Sequence, residues 1–305
     1  MTDLRDRFRG CLLGLAVGDA VGTTAEFRER GAFEPLTDMG GGGVFHLSPG
    51  QWTDDTSMAL CLATSLVEQG GFDARDQMER YRRWAETGYL SSTGTVFDLG
   101  GTVKSALEKF RQTGEPFAGE DHPSAAGNGC IMRLASVPMF FFPDIDGAER
   151  FASDSCRTTH GAAECLDAGR LLSRIIVRAL MGRSKDEVIF EDGENFIGST
   201  KIQAIAKGEF RRKREEEIIG SGYVVDSLEA ALWSFWHADS FKEAILRAAN
   251  LGKDADTTAA VCGQVAGAFY GASGIPPAWL EKLTMRAEIT ELADRLFSFA
   301  TREKP

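Results

Sequence analysis

Two short acidic segments carry the residues best suited to chemistry. The first is Trp52-Thr53-Asp54-Asp55-Thr56, directly ahead of the apolar run Met58-Ala59-Leu60-Cys61-Leu62-Ala63. The second, far along the chain, is Gly252-Lys253-Asp254-Ala255-Asp256-Thr257-Thr258, and an apolar helical run follows it as well. Read singly, each is an ordinary helix start, with Thr53 as an N-cap and carboxylates set against the positive end of the helix. Read together, they repeat one constellation: two carboxylates and a hydroxyl at a helix start. In an extended segment Asp254 and Asp256 point to the same side. Each segment adjoins an almost uncharged helix, so partial burial of the carboxylates is expected. Four such carboxylates brought together would repel one another and lose hydration unless divalent cations neutralise them. The donors Thr53, Asp54, Asp55, Asp254, Asp256 and Thr257 are all hard oxygens, a set that favours Mg²⁺, Mn²⁺ or Ca²⁺ over zinc. Two divalent ions would nearly balance four aspartates. The twelve-residue EF-hand loop with its terminal Glu is missing, which excludes calcium of that type.

The elements that must position these residues read as helices nearly throughout. Helical spacing runs over residues 4–20, 55–69, 73–87, 102–112, 148–156, 161–182, 226–237, 240–250, 257–271 and 277–300. Alternating strand patterns are scarce; the best candidate is Val188-Ile189-Phe190. Loops are marked by the run Gly40 to Gly43, by Pro49-Gly50 and by Gly127-Asn128-Gly129. Gly10, Gly14, Gly18 and Gly22 recur every four residues, as do Gly263, Gly267 and Gly271. Such spacing lines one ridge of a helix with glycine and lets backbones approach closely. Both helices therefore belong in the crowded centre, and each adjoins acids: Asp19 and Glu26 for the first, Asp254 and Asp256 for the second.

Composition narrows the function classes. The 305 residues are 43% hydrophobic and 26% charged, ordinary for a globular protein. No Pro- or Ser-rich linker interrupts them, and the chain reads as a single domain over 1–305. The formal charge of −11 and the lack of a long basic stripe argue against nucleic-acid binding. The one basic run, Arg211-Arg212-Lys213-Arg214, is followed at once by Glu215-Glu216-Glu217 and reads as a solvated helix face. Cys11, Cys61, Cys130, Cys156, Cys165 and Cys262 form no CxxC pair and sit among apolar residues, which fits a reducing cytoplasm better than a disulfide framework. The opening Met1-Thr2-Asp3-Leu4-Arg5-Asp6 lacks the order of a signal peptide. The uncharged stretch from Thr257 to Leu280 is interrupted by Gln264 and Pro276-Pro277, and reads as a buried core helix and a turn rather than a membrane span.

With these residues in view, the chain resembles the ADP-ribosylglycohydrolase family, the group that includes the dinitrogenase reductase-activating glycohydrolase. The matching segments are Gly14-Leu15-Ala16-Val17-Gly18-Asp19-Ala20-Val21-Gly22 with Glu26-Phe27, then Thr53-Asp54-Asp55-Thr56 and Val96-Phe97-Asp98-Leu99-Gly100. Gly127-Asn128-Gly129 with Met132-Arg133, Thr159-His160, Gly222-Tyr223-Val224-Val225-Asp226 and Asp254-Ala255-Asp256-Thr257 complete them. The resemblance implies an all-α, compact orthogonal helix bundle with a central binuclear Mg²⁺ or Mn²⁺ site. It implies hydrolysis of the bond between ADP-ribose and an acceptor, often arginine on a protein. Carried over by motif, Thr53, Asp54, Asp55, Asp254, Asp256 and Thr257 look like the metal ligands. Glu26 looks like a carboxylate close to the metals and the scissile bond, and Asp98 like a second catalytic or ribose-contacting acid. Gly127, Asn128, Gly129, Met132 and Arg133 look like part of the ADP-ribose cleft, with His160 near it. The chemistry agrees: breaking an N-glycosidic bond builds positive charge on ribose, which a carboxylate stabilises, or the carboxylate activates water. The N–H groups of Gly127-Asn128-Gly129 could form a nest for pyrophosphate. Tyr223 and Trp233 read as core.

Lys253 departs from the family pattern, where glycine usually precedes the Asp-x-Asp motif. A lysine there could reach phosphates or point to solvent. Two other readings remain open at this level. The acceptor could be serine, a nucleic-acid end or a small molecule. Alternatively, the protein could neutralise an ADP-ribosylating toxin as an immunity partner, although the full set of candidate ligands favours catalysis.

Overall fold

The computed structural model describes residues 3–302, so Met1 and Thr2 of the opening segment lie outside it. Fourteen α-helices occur among the described residues, and no strand; backbone pairing outside helices and turns amounts to three isolated β-bridges. In chain order the helices are α1 (Leu4–Gly22), α2 (Asp54–Gln69), α3 (Ala74–Thr87), α4 (Gly101–Thr113), α5 (Ser136–Phe141), α6 (Ile145–Arg157) and α7 (Ala163–Leu180). They continue as α8 (Lys185–Phe190), α9 (Thr200–Ala206), α10 (Val224–Trp236), α11 (Phe241–Ala249), α12 (Ala255–Tyr270), α13 (Pro277–Lys282) and α14 (Arg286–Ala300). The expectation of an all-α bundle is met.

The glycine ridges meet face to face. A Cβ added at Gly10, Gly14, Gly18 or Gly22 would overlap the backbone of Gly267, Gly263, Ala259 or Ala255 respectively. One series rises as the other falls, so α1 and α12 pack antiparallel with their backbones in direct contact. Each of these glycines costs up to about 1 kcal/mol of helix propensity relative to alanine. Close packing of the two most central helices offsets that, and α1 from Gly10 onward and α12 through Ala268 are buried. The antiparallel register has one consequence for chemistry: the C-terminal end of α1, with Asp19, lies beside the N-terminal end of α12, with Asp254 and Asp256.

Several local expectations are corrected. Val188-Ile189-Phe190 ends the short helix α8 instead of forming a strand. Ser184 and Glu187 make a capping box there, a start signal that outweighs three β-favouring residues. The stretch 277–300 is two helices, broken at Met285, which adopts φ +53°. Helices α5 and α9 lie outside the ranges with helical spacing. The basic run and its acidic neighbours form 3₁₀ turns, with Lys213 paired to Glu229 at 2.6 Å and Arg214 to Glu217 at 3.1 Å. Tyr223 is half-buried: its hydroxyl receives a hydrogen bond from Lys201 at 2.7 Å and is also bonded to Glu164. Trp233 is core, as expected. All six cysteines are buried and free. No helix among the described residues is long and apolar enough to cross a membrane.

Candidate active site

The end of α1 and the turn after it supply one carboxylate to each acidic helix start. Asp19 is fully buried and accepts from the N–H of Thr53 (3.0 and 3.1 Å), the Thr53 hydroxyl (3.0 Å), the Thr56 N–H (3.0 Å) and the Thr56 hydroxyl (2.6 Å). It therefore caps the start of α2 from across the core, at the N–H groups of Thr53 and Thr56. Thr53 holds the N-cap position, but its hydroxyl does not cap; it donates to Asp19 and lies 3.2 Å from Asp55 Oδ2. Glu26, in the turn after α1, does the same for α12: its Oε2 accepts from the N–H of Ala255 (2.8 Å) and of Asp256 (3.3 Å). Asp254 and Asp256 do not share an extended segment as the sequence suggests. Asp254 is the N-cap of α12 and Asp256 stands in its first turn, so the helix start, rather than strand alternation, sets their relation.

The two starts meet. The Thr257 hydroxyl lies 3.4 Å from Asp55 Oδ2, across the interface between α12 and α2. Oxygens of Glu26, Asp254 and Asp256 lie within 4.8 Å of one another, a separation suited to a shared cation. Asp55 Oδ1 is buried with no hydrogen-bond partner. An orphaned carboxylate oxygen costs about 1–3 kcal/mol or more when it is charged, and a cation would satisfy it. The residues present thus fit hard divalent ions, and the donor set is oxygen throughout.

Without cations these acids hold their protons far above the usual carboxylate range. Burial pushes Asp54, Asp55 and Asp256 well up, and neighbouring carboxylates add to it: Asp98 and Asp19 for Asp54, Asp19 and Asp54 for Asp55, Glu26 and Asp55 for Asp256. Glu26 is pushed up to about 8 by burial and by Asp254, against hydrogen bonding from Asp256. Asp98 rises to about 7 through burial, then Asp19 and Asp254. Asp19 rises only to about 6, because the Thr53 and Thr56 donors oppose its burial.

A cleft of about 530 Å³ opens above this cluster. Glu26, Asp54, Asp98, Asp254, Asp256 and Thr257 all line it, as do Gly127, Asn128, Gly129, Met132 and His160. Thr53 and Asp55 lie beneath it, buried. Asp98 and Lys253 both adopt left-handed backbone, φ +55° and φ +59°, an uncommon conformation for residues with a Cβ. For Lys253 this explains why glycine suits the position. Its backbone exchanges hydrogen bonds of 2.7 Å with Phe27 and Arg28, and its ammonium is exposed at the cleft, 4.0 Å from Glu29.

Two expected roles change, and Asn128, in the cleft as expected, has a further contact. Arg133 is fully buried and does not reach the cleft; it lies over the Tyr81 ring at 4.7 Å and donates to the Thr159 hydroxyl at 2.6 Å. Asn128 serves the acidic cluster, donating to Asp254 Oδ2 at 2.6 Å. The N–H groups of Gly127 and Asn128 are spent on the carbonyls of Ala125 (2.9 Å) and Gly222 (3.0 Å), so these two are not available to a pyrophosphate. A helix start also borders the cleft. The start of α4 borders the cleft through Gly100, Gly101 and Thr102, and its N-cap Gly100 offers no side chain to cap the first N–H groups of the helix. The pair Gly100-Gly101 ahead of an apolar-periodic run is the sequence signal for it. Asp19, marked in the sequence only as an acid beside the first glycine-lined helix, takes its capping role from partners 34 and 37 residues away.

Comparison with known proteins yields one consistent family. A family model described as ADP-ribosylglycohydrolase matches residues 1–305. The chain is 44% identical over 295 residues to "ADP-ribosylarginine hydrolase Tri1" of Pseudomonas putida (strain GB-1), covering 97% of this chain and 79% of that protein. It is 31% identical over 313 residues to "ADP-ribosyl-[dinitrogen reductase] glycohydrolase" of Rhodospirillum rubrum, covering 97% of each. A solved structure described as "ADP-ribosylglycohydrolase-related protein complex" superposes with a TM-score of 0.86 at 41% identity, over 99% of this chain and 100% of that one.

Proposed function

The chain belongs to the ADP-ribosylglycohydrolase family, and on that premise we propose that it hydrolyses the bond between ADP-ribose and an arginine side chain of a modified protein. The observation that carries the proposal is the convergence of two acidic helix starts, Glu26 and Asp98 on one cleft. The arginine acceptor is supported by the relative named for ADP-ribosylarginine.

Thr53, Asp54, Asp55, Asp254, Asp256 and Thr257 would hold two Mg²⁺ or Mn²⁺ ions, which when bound supply Lewis-acid polarisation and acidify water. The remaining work falls to the chain's own groups. Glu26 is tethered through Oε2 to the start of α12, so its carboxylate is held in a fixed place at the cleft. There it stabilises positive charge on ribose as the C–N bond opens, or takes a proton from the attacking water. Asp98, on its strained loop, either contacts ribose or serves as a second acid. The start of α4 receives pyrophosphate, and Met132 and His160 wall the nucleotide side. We read the chain as one domain acting in the cytoplasm, consistent with its six free buried cysteines.

A second reading is a binding role toward an ADP-ribosylating toxin. It is favoured by the similar solved structure being described as part of a protein complex. The test is release of ADP-ribose from arginine-, serine- and nucleic-acid-linked substrates with Mg²⁺ or Mn²⁺. Turnover of the arginine linkage at least about tenfold above the others supports the proposal. Release from another linkage alone, or from none, overturns it.

A further inference from the structure

The cleft contains one histidine, and the core behind it decides how that histidine presents itself. Arg133, Thr159 and His160 form a chain of hydrogen bonds with almost no solvent contact: 0%, 0% and 2% exposed. Arg133 Nη2 donates to Thr159 Oγ1 at 2.6 Å, and Thr159 Oγ1 lies 2.8 Å from His160 Nδ1. A guanidinium has five N–H donors and no acceptor. The Thr159 hydroxyl therefore accepts from Arg133 and must direct its own hydrogen elsewhere. Among the described hydrogen bonds, the sole acceptor it meets is His160 Nδ1. An Nδ1 that accepts carries no hydrogen, so in the neutral ring the hydrogen sits on Nε2.

The opposite edge of the ring, with Nε2 and Cε1, lies against Gly127 and Gly129, which line the cleft together with His160. A Cβ at Gly127 would come within 3.3 Å of Nε2, a tight contact, and one at Gly129 within 2.9 Å of Cε1, which would force the ring or the loop to shift. The ring is neutral near pH 7, because burial holds its pKa down, at about 4, against an opposite pull from Cys130, with a smaller lowering from Arg133.

We propose that Arg133 and Thr159 are positioning residues that lock His160 as an Nε2–H hydrogen-bond donor facing the cleft, so that it binds an oxygen of the ADP-ribose unit and does not act as a base. The donor role toward substrate rests on the proposed function; the tautomer itself does not. Thr159→Val keeps the volume and removes the hydroxyl, whereas Thr159→Ser keeps the hydroxyl and removes a methyl group. A packing role for Thr159 would make Ser the more harmful change, and the relay makes it Val.

The experiment is long-range ¹H–¹⁵N correlation NMR of the Mg²⁺-loaded protein, with the His160 signals assigned by their loss in His160→Gln. The expected result is a protonated Nε2 and a bare Nδ1 in the native protein and in Thr159→Ser, with that single pattern lost in Thr159→Val. In parallel, KM for the ADP-ribosylated substrate should rise about ten- to a hundredfold in Thr159→Val, the value of one charge-assisted hydrogen bond, and stay near native in Thr159→Ser. A protonated Nδ1 or an imidazolium in the native protein at pH 7, or an unchanged pattern in Thr159→Val, overturns the relay. Absence of turnover on any ADP-ribosyl substrate would instead remove the proposed function and leave the NMR result standing.

Discussion

The starts of α2 and α12 are built alike and differ in how their capping carboxylates are used. At α2, Asp19 accepts from four donor groups and is sealed in the core. At α12, Glu26 uses one oxygen for two backbone N–H groups and lines the cleft. One carboxylate is saturated by protein donors, and the other has spare capacity beside Asp254 and Asp256. Removing Asp19 should therefore cost stability, and neutralising Glu26 should cost rate. Because Glu26 also stands within cation-sharing distance of Asp254 and Asp256, it is not isolated from the acidic cluster, as sequence spacing alone suggests.

The largest effect expected at the shared floor of the two starts comes from Asp256→Asn. It removes a formal charge at nearly constant volume, so metal affinity should collapse while the fold survives. Calorimetric metal titration beside circular dichroism checks this, and unchanged affinity would remove Asp256 from the ligand set. Next, Glu26→Gln keeps an oxygen to accept from Ala255 but loses the charge and the base. Its kcat should fall roughly 10²–10⁴-fold, with KM and melting temperature little changed. Asp19→Asn should do the reverse in kind: it sets an amide N–H₂ against the Thr53 and Thr56 donors and should cost about 2–4 kcal/mol of stability, read by denaturant unfolding. If Glu26→Gln unfolds the protein and Asp19→Asn does not, the comparison fails.

The smallest effect is a pH dependence. In metal-free protein, Asp19, Asp98 and Glu26 are raised to about 6, 7 and 8. A carboxyl with a raised folded-state pKa binds more protons folded than unfolded, so its stabilisation is full below about pH 4 and is lost as pH rises through the folded value. The melting temperature in EDTA should accordingly fall between pH 5 and pH 8. Added Mg²⁺ should raise it more at pH 8 than at pH 5, because cations then replace protons. Equal Mg²⁺ shifts at both pH values would contradict this.

Much of the arrangement was legible in the sequence because its signals were local. Four-residue glycine spacing identified the two central helices, and the paired Asp-Thr segments identified the floor of the cleft. The misreadings came where partners are distant. Arg133 carries no mark that it is buried with hydroxyls instead of an acid. The Gly127-Asn128-Gly129 turn looks like a free N–H cradle until Gly222 is folded onto it. Asp19 reads as one more helical residue until Thr53 and Thr56 arrive. At α8 the helix start is local and legible, since Ser184 and Glu187 form its capping box.

The most direct test of the account is turnover followed against metal occupancy. EDTA-stripped protein is titrated with Mn²⁺ by calorimetry while ADP-ribose release from an ADP-ribosylated arginine protein is measured in the same samples. The account predicts no release without metal and activity that rises with occupancy to two ions per chain. Full turnover in excess EDTA would contradict it.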